Sequence, residues 1–218
     1  MITIKNFSKS YKKNHVFENV NLTIIKNGYY YFMGKNGSGK TTFFNCLLGF
    51  ERFEGDISIN TKNVAAVFDT EQLYTHLSIE DNILIFLKKN LNDDQKRFFH
   101  SYVSIDRKKK VKTLSLGQRK IVAILIAVLR NSQLLVLDEI SNGLDIDNAS
   151  KIKTLLCECK KKMIILSCGH QLDFHSDILD NALIINKKTI TFVGENHNLE
   201  DVYESIISSS KERTLLSI

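Results

Sequence analysis

The chain has 218 residues, 43 % of them hydrophobic and 25 % charged, enough for one soluble domain with a full buried core. Its apolar runs stop short of the roughly 20 positions a membrane span needs, and the first five residues lack the apolar segment of a secretory signal, so a cytosolic protein is expected. Four cysteines without metal-ligand spacing argue against a zinc site or disulfide framework; the net charge of +6 is moderate, and its densest patch, from Arg107 to Lys112, reads as a solvated turn, so no nucleic-acid partner is expected.

Alternating apolar stretches at 1–5, 16–25 and 57–60 predict an antiparallel β-layer. Between the second and third, Tyr29-Tyr30-Tyr31-Phe32-Met33 reads as a buried strand ending on Gly34, and residues 42–48 read as a helix stopped by Gly49. The residues that join them, Gly34-Lys35-Asn36-Gly37-Ser38-Gly39-Lys40-Thr41, have the spacing G-x-x-x-x-G-K-[ST] of a phosphate-binding loop. Glycines let successive backbone N–H groups turn inward around an anion, Lys40 reaches the β- and γ-phosphate oxygens, and the Thr41 hydroxyl is placed to ligate Mg²⁺. The helix behind the loop points its positive end at the same phosphates.

Continuous apolar runs at 64–68, 134–137, 163–167 and 183–186 predict parallel strands covered on both faces. Helical patterns at 79–90, 93–102, 118–131 and 147–160 separate them, so the expected fold is α/β with crossovers. Residues 71–130 lie between a pair of core strands, occupy more chain than one crossover requires, and are expected to form a helical subdomain within a single domain spanning 1–218. The tail at 208–213 is expected to fray. Leu134-Leu135-Val136-Leu137-Asp138-Glu139 carries two carboxylates at the carboxyl end of a strand, where α/β folds bind ligands. Asp138 can hold Mg²⁺ through its water shell, and Glu139 can polarise an attacking water. In Leu114-Ser115-Leu116-Gly117-Gln118-Arg119-Lys120, Ser115 can cap the following helix and the Gly117 amide can point at an anion.

The phosphate loop, the Leu114 to Gln118 segment and Asp138-Glu139, in that order, closely resemble the ATP-binding-cassette family over nearly the whole chain. The resemblance implies an α/β P-loop NTPase core with a parallel sheet, an antiparallel β-layer and a helical subdomain. It implies that ATP is bound by Gly34, Asn36, Gly37, Ser38, Gly39, Lys40, Thr41 and Thr42, with Tyr11 stacked on adenine. It further implies Mg²⁺ at Thr41 and Asp138, Glu139 as the catalytic carboxylate, His170 as a switch on the γ-phosphate, and Ser141 to Asp145 as a loop crossing between subunits. Ser115, Gly117 and Gln118 would contact the nucleotide of a second cassette, identical or related, in an ATP sandwich. Three departures stand out. Asp69, or alternatively Gln72, falls where the family has a glutamine that senses Mg²⁺ and the membrane partner, so Asp69 enters as a candidate catalytic and metal residue. One residue is added before His170, and Ile140 replaces a proline.

The function implied is an ATPase subunit, peripheral on the cytoplasmic membrane face, that powers transport through separate transmembrane permease subunits, with export the favoured direction. The competing reading is a soluble cassette ATPase acting on ribosomes, DNA or cluster assembly.

Overall fold

The computed structural model describes residues 1–70, 72–193, 201, 202 and 204. Glu71 and the tail at 208–213 lie outside the described residues. An antiparallel sheet of β1 (Ile2–Tyr11), β2 (Asn14–Ile24) and β4 (Glu54–Ile59) has the order β2-β1-β4. A second sheet has the order β5-β6-β7-β3-β8-β9 and comprises β3 (Gly28–Met33), β5 (Val64–Val67), β6 (Leu134–Asp138), β7 (Ile164–Cys168), β8 (Asn181–Asn186) and β9 (Thr189–Phe192). Its pairs are parallel from β5 through to β8; only β8 and β9 run antiparallel.

Every residue of β3, β6 and β7 is buried, as continuous apolar strands between two covered faces must be. Alternation along them divides the core. Tyr29, Tyr31, Leu135 and Leu137 face one cluster, with α4 (Leu116–Leu129) and α5 (Ile146–Cys159), and Tyr30, Phe32, Leu134 and Val136 face the other, with α1 (Lys40–Leu47) and the antiparallel sheet.

The helices begin where short polar side chains take up free backbone N–H groups. Ser78 with Asp81 opens α2 (Ile79–Leu87), Asn92 with Gln95 opens α3 (Asp93–Tyr102), and Ser115 with Gln118 opens α4, each a reciprocal capping box. Asp145 caps α5, and a short α6 (Leu172–Ser176) follows β7. Two strand features differ from the sequence pattern. β1 runs to Tyr11 because a register shift, with Asn6 at φ 50°, interrupts the alternation after Lys5 without ending the strand. β9 is an additional strand, reached through a two-residue turn in which Lys187 and Lys188 have φ 47° and 65°; glycine or asparagine normally marks such turns.

Candidate functional site

The carboxyl ends of three neighbouring strands build the site. β7 lies between β3 and β6, so the phosphate loop after β3, Glu139 after β6 and His170 after β7 emerge side by side. They line one cleft with Tyr11, Asn36, Gly37, Gly39, Lys40, Thr41 and Thr42.

The phosphate loop turns at Gly39, the residue capping α1, with φ 106°. A β-carbon there would stand 2.6 Å from Val16 Cγ1 and 2.9 Å from the Phe17 ring, so both the conformation and the space demand glycine. Lys40 is buried and its ammonium donates to the carbonyls of Gly34 at 2.8 Å and Lys35 at 3.1 Å, which holds the charge inside the loop. Ser38 Oγ is buried and has no partner among the described residues, and Thr41 lies exposed in the first turn of α1.

Asp138 ends β6, and its Oδ1 accepts from the Cys168 thiol at 2.8 Å. Burial and the adjacent carboxylate raise the pKa of that thiol, which stays protonated. Cys168 is therefore a hydrogen-bond partner of Asp138 and more than a filler; its lack of a spacing motif hid this in the sequence. Glu139 adopts φ 56°, a left-handed conformation that non-glycine residues hold only when the surroundings impose it. Its Oε1 lies 3.1 Å from His170 Nε2.

Tyr11 sits at the end of β1, 43 % exposed. Its hydroxyl donates to Glu51, and Lys9 Nζ stands 4.4 Å over the ring centroid while pairing with Glu51 Oε2 at 3.0 Å. The phenol and Lys9 hold the Glu51 carboxyl below its ordinary pKa. Lys9 and Glu51 fix this ring, and sequence reading did not single them out because each is distant from the phosphate loop.

Ser115, Gly117 and Gln118 do not line the cleft. Ser115 Oγ accepts from the Gln118 amide at 3.2 Å, and Gly117 packs so closely on Asn148 that a β-carbon would come within 2.6 Å of it. Asp69 lies elsewhere too. Its carboxylate accepts from Lys120 at 2.8 Å, along a groove shared with Gln72, Leu116 and Arg119, so contact with a metal would require that pair to separate. Lys120, 4 % exposed, also donates to the carbonyl of Asn142 at 2.6 Å. Gln72 Oε1 accepts from the backbone of Phe68 at 3.2 Å.

A family model for ABC transporters matches residues 17–142, more than half of the chain. The spermidine/putrescine import ATP-binding protein PotA of Clostridium acetobutylicum is 30 % identical over 93 % of this chain and 62 % of its own length. The lantibiotic transport ATP-binding protein SrtF of Streptococcus pyogenes is 27 % identical over 98 % of this chain and all of its own. The chain spans 48 % of the galactose/methyl galactoside import ATP-binding protein MglA of Treponema denticola, at 25 % identity. Among solved structures, the ATP-binding subunit of an ABC transporter superposes with a TM-score of 0.83 at 20 % identity, over 95 % of this chain and 99 % of that one. A dimeric ATP-binding cassette in a post-hydrolysis state with ADP and phosphate superposes with a TM-score of 0.74 at 21 % identity, over 91 % and 100 %. These likenesses give the fold, and with the family match they establish that the chain belongs to the ABC transporter family.

Proposed function

We propose that the chain binds and hydrolyses ATP to drive transport through separate membrane subunits, in company with a second cassette. The observation that carries this reading is the convergence of the phosphate loop, Glu139 and His170 on one cleft, with Glu139 Oε1 3.1 Å from His170 Nε2. Lys40 offers its ammonium to the β- and γ-phosphates, and the amide groups of the loop and of the start of α1 complete the anion cradle. Tyr11 stacks on adenine with its free face, Lys9 covering the other. Oxygen donors fit a hard divalent ion: the Thr41 hydroxyl in the first turn of α1 and the Asp138 carboxylate at the end of β6. Thr41 and Asp138 would hold Mg²⁺ there, and it would supply positive charge against the transferred phosphoryl group. Glu139 orients the attacking water and accepts its proton, while His170 fixes one of the carboxylate oxygens and reaches toward the γ-phosphate.

The position of Ser115, Gly117 and Gln118 outside the cleft supports their service in trans, to nucleotide held by a partner cassette. Asp69 acts in this scheme only after release from Lys120. Residues 71–130 are proposed as the helical subdomain that meets the membrane subunits. Exposed Tyr74, Leu77, Leu84 and Ile85 support this, because they form apolar surface on and before α2. Among the described residues no helix is long and apolar enough to cross a membrane, in keeping with a peripheral position on the cytoplasmic face. Relatives are named for import and for lantibiotic transport alike; export is the direction to test first, by measuring substrate flux in inside-out vesicles.

The test of the chemistry is Glu139→Gln. ATP binding is retained, ATP turnover falls by about two orders of magnitude or more, and an ATP-dependent dimer accumulates by light scattering. Wild-type turnover in the variant would remove Glu139 from the role of base.

A further inference from the structure

On the open side of the cleft, His170 holds Glu139 through Oε1, whereas Oε2 is buried with no hydrogen-bond partner among the described residues. Four more buried atoms share that condition, Ser38 Oγ, Ser167 Oγ, Ser141 Oγ and His175 Nε2, and the last two belong to residues with no exposed surface beside Glu139. Glu139 Oε2, Ser141 Oγ and His175 Nε2 converge on one point. From where a β-carbon on Gly169 would stand, His175 Nε2 is 2.8 Å away, Ser141 Oγ 3.3 Å and Glu139 Oε2 3.7 Å. Buried polar groups in native proteins pair directly or through an ordered water, and such a water typically joins about three of them.

His175, on α6, is fixed from behind. Its ring stacks on Tyr31 with centroids 4.1 Å apart and planes 14° from parallel, and its Nδ1 lies 2.8 Å from the Tyr29 hydroxyl. The Tyr31 hydroxyl donates to the Gly169 carbonyl at 2.9 Å, which ties the loop carrying His170 to the same buried group. Burial pushes the His175 pKa down to about 3, so the imidazole is neutral and carries one N–H. Burial also raises the pKa of the Tyr29 phenol, which stays protonated and is able to donate to Nδ1. With the phenol donating to Nδ1, the ring proton sits on Nε2, facing a carboxylate oxygen and a hydroxyl that can both accept. The opposite tautomer would set a nitrogen lone pair against that carboxylate. The carboxylate opposite therefore favours the tautomer with the proton on Nε2.

We propose that His175 and Ser141 are positioning residues for Glu139. Across a shared water they hold Oε2 from the buried side of the cleft, while His170 holds Oε1 from the open side, so the carboxylate meets the attacking water in one orientation. The inference rests on the reading of Glu139 as the base. It also gives a physical reason for glycine at position 169, where a β-carbon would stand 2.8 Å from His175 Nε2 and 3.3 Å from Ser141 Oγ.

Steady-state ATPase kinetics of His175→Phe, His175→Gln and Ser141→Ala test the proposal, alongside nucleotide titration and thermal melting of each variant. Phenylalanine keeps the stack on Tyr31 and removes both nitrogens, whereas glutamine restores an amide donor at similar reach. Misplacing a reacting group by a fraction of an ångström costs some of the general-base contribution, so kcat of His175→Phe falls about tenfold at unchanged KM and nucleotide affinity. Ser141→Ala lowers kcat in the same way, and His175→Gln stays within about twofold of the wild type. The proposal is overturned if His175→Phe and Ser141→Ala both turn over within about twofold of the wild type. It is equally overturned if phenylalanine and glutamine fall alike, or if the loss comes with a raised KM and a lowered melting temperature, the signature of a packing defect. Should His175→Phe fail to fold, Ser141→Ala decides: lost kcat at constant KM supports the proposal and wild-type kcat ends it. Glu139→Gln separates the two levels. If it keeps turnover, the base assignment fails; if it loses turnover while the other variants do not, only the positioning role fails.

Discussion

At the scale of single residues, the site depends on side chains held by partners far away in the chain. Tyr11 is bonded to Glu51, 40 residues on, and covered on one face by Lys9, so its ring is held in one orientation. Stacking of a base on an aromatic ring is worth about 1–3 kcal/mol. Tyr11→Ala is therefore expected to weaken ATP binding by that amount, with Tyr11→Phe close to the wild type, in a nucleotide titration; equal affinity for the alanine variant would make Tyr11 a purely structural residue. His175 bears on stability. Its pKa is about 3 in the folded protein against 6.5 as the ordinary value. Above pH 6.5 the ring is neutral in both states and contributes no pH dependence. Below it the unfolded chain takes up a proton that the folded chain refuses, so stability drops by about 1.4 kcal/mol per pH unit, or about 2 kcal/mol by pH 5. Denaturation of wild type and His175→Phe from pH 7.5 to 5 reads the difference, and parallel curves would mean that His175 takes up its proton in the folded state.

At the scale of elements, Lys120 links segments that are far apart in the chain. From the first turns of α4 its buried ammonium reaches Asp69 after β5 and the Asn142 carbonyl in the loop after β6. Replacing Lys120 with methionine keeps the aliphatic packing and leaves that backbone carbonyl and the half-exposed Asp69 carboxylate without their donor. The expected loss is about 1–3 kcal/mol of unfolding free energy, measured by urea denaturation. A variant as stable as the wild type would show that solvent replaces the ammonium at no cost. Elements themselves were legible to different degrees. The strands at 64–67 and 134–138 follow from continuous apolar runs, and α4 from its capping serine. β9 was not legible, because Lys187 and Lys188 take up a conformation that their identities do not announce.

At the scale of the whole molecule, the cleft and the Ser115 to Gln118 segment lie apart, and the apolar residues Tyr74, Leu77, Leu84 and Ile85 are exposed. A contact with membrane subunits is expected from the exposed apolar residues, beside the one with a second cassette proposed above. Co-expressed with its membrane subunits, the protein sediments with membranes, and charge substitutions at Tyr74 and Leu77 release it while ATP affinity stays unchanged. Those side chains lie outside the phosphate cradle. Protein that stays in the supernatant with every candidate membrane subunit present, or purifies with ribosomes or DNA, would replace transport with a non-transport cassette function.

The sequence by itself determined where the devices that local spacing encodes lie. Eight consecutive residues carry the spacing of a phosphate loop, two adjacent carboxylates fall at the end of β6 and just after it, and a serine and glutamine three residues apart open α4, because near neighbours in the chain suffice for each of these devices. The tertiary structure alone decided what those groups touch. Asp69 meets Lys120, 51 residues away; Cys168 meets Asp138 across the parallel pairing of β6 and β7; Tyr29 and His175 meet across 146 residues. Such contacts depend on strand order and on which face of the sheet a helix covers, and neither is written in any short stretch of the chain. The pairing of Asp69 with Lys120, and the convergence of His175, Ser141 and Glu139 on Gly169, arise only once β3, β6 and β7 lie side by side.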